Sequence, residues 1–216
     1  RVGSNRCGIT SFVLTVAGFA FCATATGVAW RVWYVENDAS IGSGTLVIGI
    51  WEVCFIQRKK LMGQNYGFPQ CWPFTEEHTS LPKAMLIAQD LMIFVNLLDI
   101  STLGLMFFAL WNVLKSKNAH AFLLTFFSVA STLNIISAIL LLVPVVWNTH
   151  SILLAEEIRF PEEFNLPNSP NDQDIGTAIY LAYCAIFLKF LSGLLILWEN
   201  SFQVQKGPVC PHLVEA

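Results

Sequence analysis

From Cys7 to Trp30 the chain carries no Asp, Glu, Lys or Arg, and from Ala121 to Asn148 it again carries none. About 20 apolar residues in a helix are needed to cross about 30 Å of hydrocarbon, and both runs are long enough. Lipid offers backbone groups no hydrogen-bond partner, so a run of this kind has one stable form, the transmembrane helix. Two further runs have the length: Ala84 to Leu114, which holds Asp90 and Asp99, and Ile175 to Trp198, which holds only Lys189. Composition points the same way. Charged residues make up 12% of the chain and hydrophobic ones 55%, where soluble domains average about 25% charged. The first run is no secretory signal, since its apolar part outruns that of a signal peptide and Trp30-Arg31 is a poor cleavage site. The chain begins at Arg1 rather than Met, which leaves room for residues in front.

The predicted fold class is integral membrane and mainly α: a four-transmembrane-helix bundle with a small extracellular antiparallel β-sheet. The expected organisation is a cytoplasmic stub (1–6), helix 1 (7–30), extracellular loop 1 with the sheet (31–83), helix 2 (84–114), a cytoplasmic turn (115–120), helix 3 (121–148), extracellular loop 2 (149–174), helix 4 (175–198) and a cytoplasmic tail (199–216). Lys115 and Lys117 in the short turn, with Arg1 and Arg6 in the stub, suit the cytoplasmic side. Loop 1 has its own basic residues, Arg31, Arg58, Lys59, Lys60 and Lys83, so charge alone does not orient the chain. Cysteine usage does. Of six cysteines only Cys54 and Cys71 lie in a long loop, and a bridge between them would persist only in an oxidising compartment.

Within loop 1, Gly44 to Phe55 is apolar, rich in β-branched and aromatic residues, and bounded by Gly and by the polar run Gln57 to Lys60. This predicts one strand. Its expected partners are Arg31 to Val35 and the stretch around Cys71, giving a small antiparallel sheet. Linking Cys54 to Cys71 would stabilise so small a unit by about 3 kcal/mol in the chain-entropy model.

Trp30, Gly49, Trp51, Cys54 and Cys71 together resemble the first extracellular loop signature of the claudins, the four-span tight-junction proteins, and of their wider superfamily. Further matches follow: Leu81-Pro82, Ala88-Gln89-Asp90-Leu91-Met92 opening the second crossing, Leu141 to Ile152 ending the third, and Asp174 to Tyr180 leading into the fourth. The likeness covers nearly all of residues 10 to 198, and is to a divergent member, of the claudin 34 branch. It implies that the tryptophans seat the sheet at the membrane surface and that Cys54 and Cys71 form a disulfide. Some features depart from the pattern. Sixteen residues lie between the cysteines, well beyond the family's usual gap. Gln89 stands where the family has an arginine, and no double cysteine follows crossings two or four. The end Leu213-Val214-Glu215-Ala216 lacks Tyr-Val, so binding to a PDZ scaffold is not expected.

The resemblance implies an adhesive, structural protein of tight junctions at plasma-membrane cell contacts, embedded in membrane lipid and assembling as homo- or hetero-oligomers with claudin-like proteins in the same and apposed membranes. The alternative is an accessory subunit of a channel or receptor, as in the wider superfamily. Selectivity along such a contact comes from rings of charge. Loop 1 sets Arg31, Arg58, Lys59, Lys60 and Lys83 against Glu36, Asp38, Glu52, Glu76 and Glu77, and Trp72 after the second cysteine is neutral. That balance favours a barrier or a poorly selective pathway. The candidate paracellular or partner contacts are Arg58, Lys59, Lys60, Glu76, Glu77, Phe160 and Phe164, the two phenylalanines standing in for the family's aromatic turn in loop 2, with packing of those rings onto the protein's own sheet as the alternative.

An ionised side chain in the bilayer costs about 2.5 to 3.5 kcal/mol on insertion scales, so Asp99 and Lys189 need partners. At 1.5 Å per residue they lie about 12 and 18 Å deep, an offset that a lysine stem spans. An intramembrane pair is expected, with Asn96 and Asn134 as alternative partners. Pro144 is expected to bend the third helix. No enzymatic motif is present. There is no phosphate-cradling glycine loop, and His78, His120, His150 and His212 are scattered over loops and ends, so neither metal nor cofactor is expected.

Overall fold

The computed structural model describes residues 2–35, 41–61, 64–74, 81–115, 120–160, 166 and 169–205. The helices are α1 (Val2–Gly27), α2 (Lys83–Lys115), α3 (His120–Leu153) and α4 (Thr177–Gln205). Each contains a stretch long and apolar enough to cross a membrane. The molecule is a four-helix membrane-spanning bundle with an extracellular antiparallel β-sheet.

The helices are apolar all round, yet their buried positions are not random. On α2, beyond buried Ala84 in its first turn, the buried residues are Met85, Ala88, Met92, Val95, Asp99, Thr102, Met106 and Ala109, spaced alternately by three and four. Between them Ile93, Phe94, Leu97, Ile100 and Phe107 face outward, where lipid replaces water as the apolar surroundings. Such spacing keeps one seam against the neighbouring helices. Small residues dominate the seams elsewhere, with Cys22, Ala25, Ala138, Ala178, Ala182 and Ala185 all buried, and they let backbones approach closely. Gly193 shows how closely, because a Cβ there would sit 2.7 Å from Ile135 Cγ1 on α3. α3 runs on through Pro144.

The strands are β1 (Arg31–Tyr34), β2 (Ile41–Ile48), β3 (Glu52–Leu61), β4 (Gln64–Pro73) and β5 (Asp172–Ile175), in one antiparallel sheet ordered β4-β3-β2-β1-β5. The single strand expected over Gly44 to Phe55 is in fact a hairpin. Its chain reverses at Gly49-Ile50-Trp51, closed by Gly49 N–H donating to Glu52 O at 2.9 Å. The apolar run hid the reversal because Ile50 leaves the sheet to bury itself in the helical core. Gln89, where the resemblance expects an arginine, donates from Nε2 to Ile50 O at 2.6 Å, so a neutral amide holds this turn.

β5 lies in the second loop and was not expected, since Asp and Gln are poor strand formers. Pairing with β1 overrides that tendency, and Arg31 faces Ile175 in register. Next to it Gly176 N–H donates to Trp30 O at 2.8 Å. A Cβ on Gly176 would sit 2.5 Å from the Trp30 carbonyl carbon, so only glycine allows α4 to start here.

Candidate functional site

The sheet divides its side chains between two faces. Beneath it lie Trp33, Leu46, Ile48, Val53 and Phe55, packed with Met85, Ile158 and Phe160. The aromatic rings there meet edge to face, Trp33 with Phe160 at 5.7 Å and Phe55 with Trp72 at 5.2 Å, an arrangement favoured by the ring quadrupole. Polar tips are satisfied as well. Trp33 Nε1 donates to Gln173 Oε1 at 2.8 Å, and Gln173 Nε2 donates to Ile152 O, which ties β1, β5 and α3 together. Trp30 is fully buried and its Nε1 caps the end of α1 by donating to Ala25 O at 2.9 Å.

Above the sheet, one row in register runs Asp174, Val32, Val47, Cys54 and Cys71. Cys54 and Cys71 are directly opposite each other on β3 and β4 and are joined as a disulfide. The neighbouring outward positions are Tyr34, Ile56, Pro69 and Pro73, with Glu52 beside the disulfide. Glu52 and the two sulfurs lie within 4.8 Å of one another, but sulfurs bonded to each other are not thiolate ligands. At the β5 margin the Tyr34 phenol is held above its ordinary pKa, first by its hydrogen bond to Asp174 and then by the charge of that carboxylate.

Arg31 lies on the underside with Trp33, two residues along β1. Counted above among the loop charges, it is fully buried, with Nη2 3.4 Å from Asn148 Oδ1 and 3.5 Å from Ser151 Oγ. Ser151 in turn donates to the Glu156 carboxylate. Burial lowers the Arg31 pKa to about 10, opposed by the charge of Glu156. The exposed charge of loop 1 is therefore less basic than the sequence count.

Inside the bundle, Lys189 Nζ lies 2.6 Å from Asp99 Oδ2, both residues 1% exposed. Ser137 completes the group, its Oγ donating to Asp99 Oδ1 at 2.6 Å and accepting from Lys189 Nζ at 3.0 Å. The alternatives raised from sequence are engaged elsewhere. Asn96 donates to Met92 O and Thr26 Oγ1, and Asn134 donates to Thr15 Oγ1 and Ser192 Oγ.

The structure treats the candidate contacts unequally. Arg58, Lys59 and Lys60 fall on the outer half of β3, opposite Gly67, Tyr66 and Asn65 of β4. Glu76, Glu77 and Phe164 lie outside the described residues. Phe160 corrects the expectation of an exposed contact ring: it is 7% exposed, wedged between Trp33 and Phe74. Gln173, Ser137 and the Arg31–Ser151–Glu156 group were not singled out from sequence. The seam spacing on α2 and α3 would have found Ser137, but nothing local marks Gln173.

Residues 9–198 match the family model described as PMP-22/EMP/MP20/Claudin tight junction. No individually curated protein matches the chain.

Proposed function

The chain belongs to the PMP-22/EMP/MP20/Claudin tight-junction family, a family of structural, non-catalytic membrane proteins, and on that premise we propose that it is a divergent claudin-like structural and adhesion protein of tight junctions. It acts in the plasma membrane at cell contacts, assembling side by side and across the intercellular gap to form or modulate a barrier. The observation that carries this reading is the outward row Val32, Val47, Cys54 and Cys71, four uncharged residues in register braced by a disulfide. Among the described residues the acidic side chains on that face are Glu52, beside the disulfide, and Asp172 and Asp174 on β5. A confined water path lined this way lacks the ring of like charge that selects ions, which supports a barrier over a selective pore. The test is expression in cells that lack junction strands. Freeze-fracture strands and enrichment where two expressing cells touch are the expected result, whereas a diffuse surface signal would contradict it.

A further inference from the structure

At the outer ends of α2 and α3 a cavity of about 510 Å³ is lined by Lys83, Trp147, Glu156, Glu157 and Arg159 above a floor of Leu81, Pro82 and Ala84. The size falls within the range of small-molecule sites, about 300 to 1,000 Å³. Its charges are mixed and unmatched. Among the described residues the one ion pair is Asp99 with Lys189, so Lys83, Arg159 and Glu157 share this cavity with no ion pair within 4.0 Å between them. Glu156 is held back on the inner wall by Ser151, with buried Arg31 behind it; Arg31 Nε and Nη1 have no hydrogen-bond partner.

The surroundings specify the occupant further. Trp147 is 42% exposed, and Val143, one turn deeper on α3, and Leu86, one turn deeper on α2, are exposed on the bilayer-facing surface. The polar cavity thus has exposed apolar side chains of α2 and α3 as its neighbours on the membrane side. An aromatic residue at such a boundary is at home with one side apolar and one wet.

We propose that this cavity binds the zwitterionic headgroup of an outer-leaflet phospholipid, a phosphate ester carrying an ammonium. Lys83 and Arg159, at the positive end of α2, take the phosphate. Glu157 takes the ammonium, which also rests against the Trp147 ring. The acyl chains run along the exposed side chains of Leu86 and Val143. Phosphatidylglycerol, an anionic lipid without an ammonium, lacks the group that Glu157 needs, and a neutral diacylglycerol lacks both.

The experiment uses the full chain, purified in detergent and titrated with phosphatidylcholine, phosphatidylglycerol, diacylglycerol or soluble phosphocholine, reading bound lipid by native mass spectrometry and melting temperature. Phosphatidylcholine is expected to be retained and to raise the melting temperature. Its apparent affinity should fall about tenfold or more in Glu157→Gln, which loses one charge-assisted contact, and at least as far in Lys83→Gln/Arg159→Gln, which loses two. Glu157→Lys serves as a second variant, expected to bind phosphatidylglycerol better than phosphatidylcholine while its melting temperature without lipid reports an intact fold. Equal retention of all three lipids, or variants that bind phosphatidylcholine as the wild type does, would overturn the proposal. Displacement by an equal concentration of soluble phosphocholine would overturn it in favour of a free zwitterion.

Discussion

Lys189 on α4 reaches Asp99 on α2 across the centre of the bundle, and Ser137 on α3 hydrogen-bonds to both. Three helices are thereby fixed in one register. Gly18 on α1 makes space for the lysine stem, since a Cβ there would sit 3.2 Å from Lys189 Cγ. Removing one charge leaves the other buried and unpaired, which costs about 3 to 5 kcal/mol. Asp99→Asn and Lys189→Met should each lower stability by that order, and the double variant should lose far less than their sum. Denaturant titration of the four proteins in micelles measures the coupling. Additive losses would show that the two groups do not depend on each other.

The approach of α4 to the end of α1 depends on a missing side chain. Gly176→Ala would press a methyl group against the Trp30 backbone, and because the obstacle is main chain, β1 and β5 would have to part. A loss of about 1 to 3 kcal/mol is expected from such overpacking. Gly104→Ala is the control. A Cβ at Gly104 meets nothing within 4 Å, and Ala is the better helix former by about 1 kcal/mol, so this variant should melt at or above the wild-type temperature.

These two sites mark what could be read in the chain and what could not. The four helices were legible because length and apolarity suffice to define a span, and the intramembrane pair was legible because isolated charges in such spans need company. The positions of Asp99 and Lys189 on inward seams could also have been read, from the alternation of threes and fours. The sheet was harder. Ile50 belongs to the helical core and not to the strand pattern, so the run from Gly44 to Phe55 concealed a hairpin. β5 is a strand only because β1 lies beside it, and its own residues, Asp172, Gln173 and Asp174, argue against it. Phe160 stayed open between a contact ring and a ring packed on the sheet because sequence distinguishes a surface turn from a sheet underside only through its neighbours. Arg31 looked like loop charge for the same reason.

The disulfide joins positions of β3 and β4 that already face each other, so its effect should be on stability more than on shape. Cys54→Ser/Cys71→Ser is expected to lose about 3 kcal/mol through greater freedom of the unfolded chain. The melting temperature should fall by the same amount when the wild type is treated with reductant, and reductant should leave the double variant unchanged. If the double variant also responds, another bridge contributes.

Tyr34 gives the outer face a dependence on alkaline pH. Its phenol donates to Asp174, so the neutral form is favoured in the folded protein and the folded pKa lies above the ordinary value of about 10. The folded state thus keeps the proton that the unfolded chain would release. This contribution to stability is fully present below about pH 10 and is lost as pH rises through the folded pKa. Tyrosinate absorbance of the wild type minus that of Tyr34→Phe isolates this one group among four tyrosines. Its midpoint should stand above the ordinary value, and Asp174→Asn should bring it down by removing the nearer charge and leaving only a neutral amide oxygen as acceptor. An unmoved midpoint in Asp174→Asn would place the Tyr34 proton on another acceptor. The same variant separates the edge from the centre of the face: it should alter the alkaline melting curve while leaving the Val32, Val47, Cys54 and Cys71 row, and any adhesion that depends on it, as in the wild type.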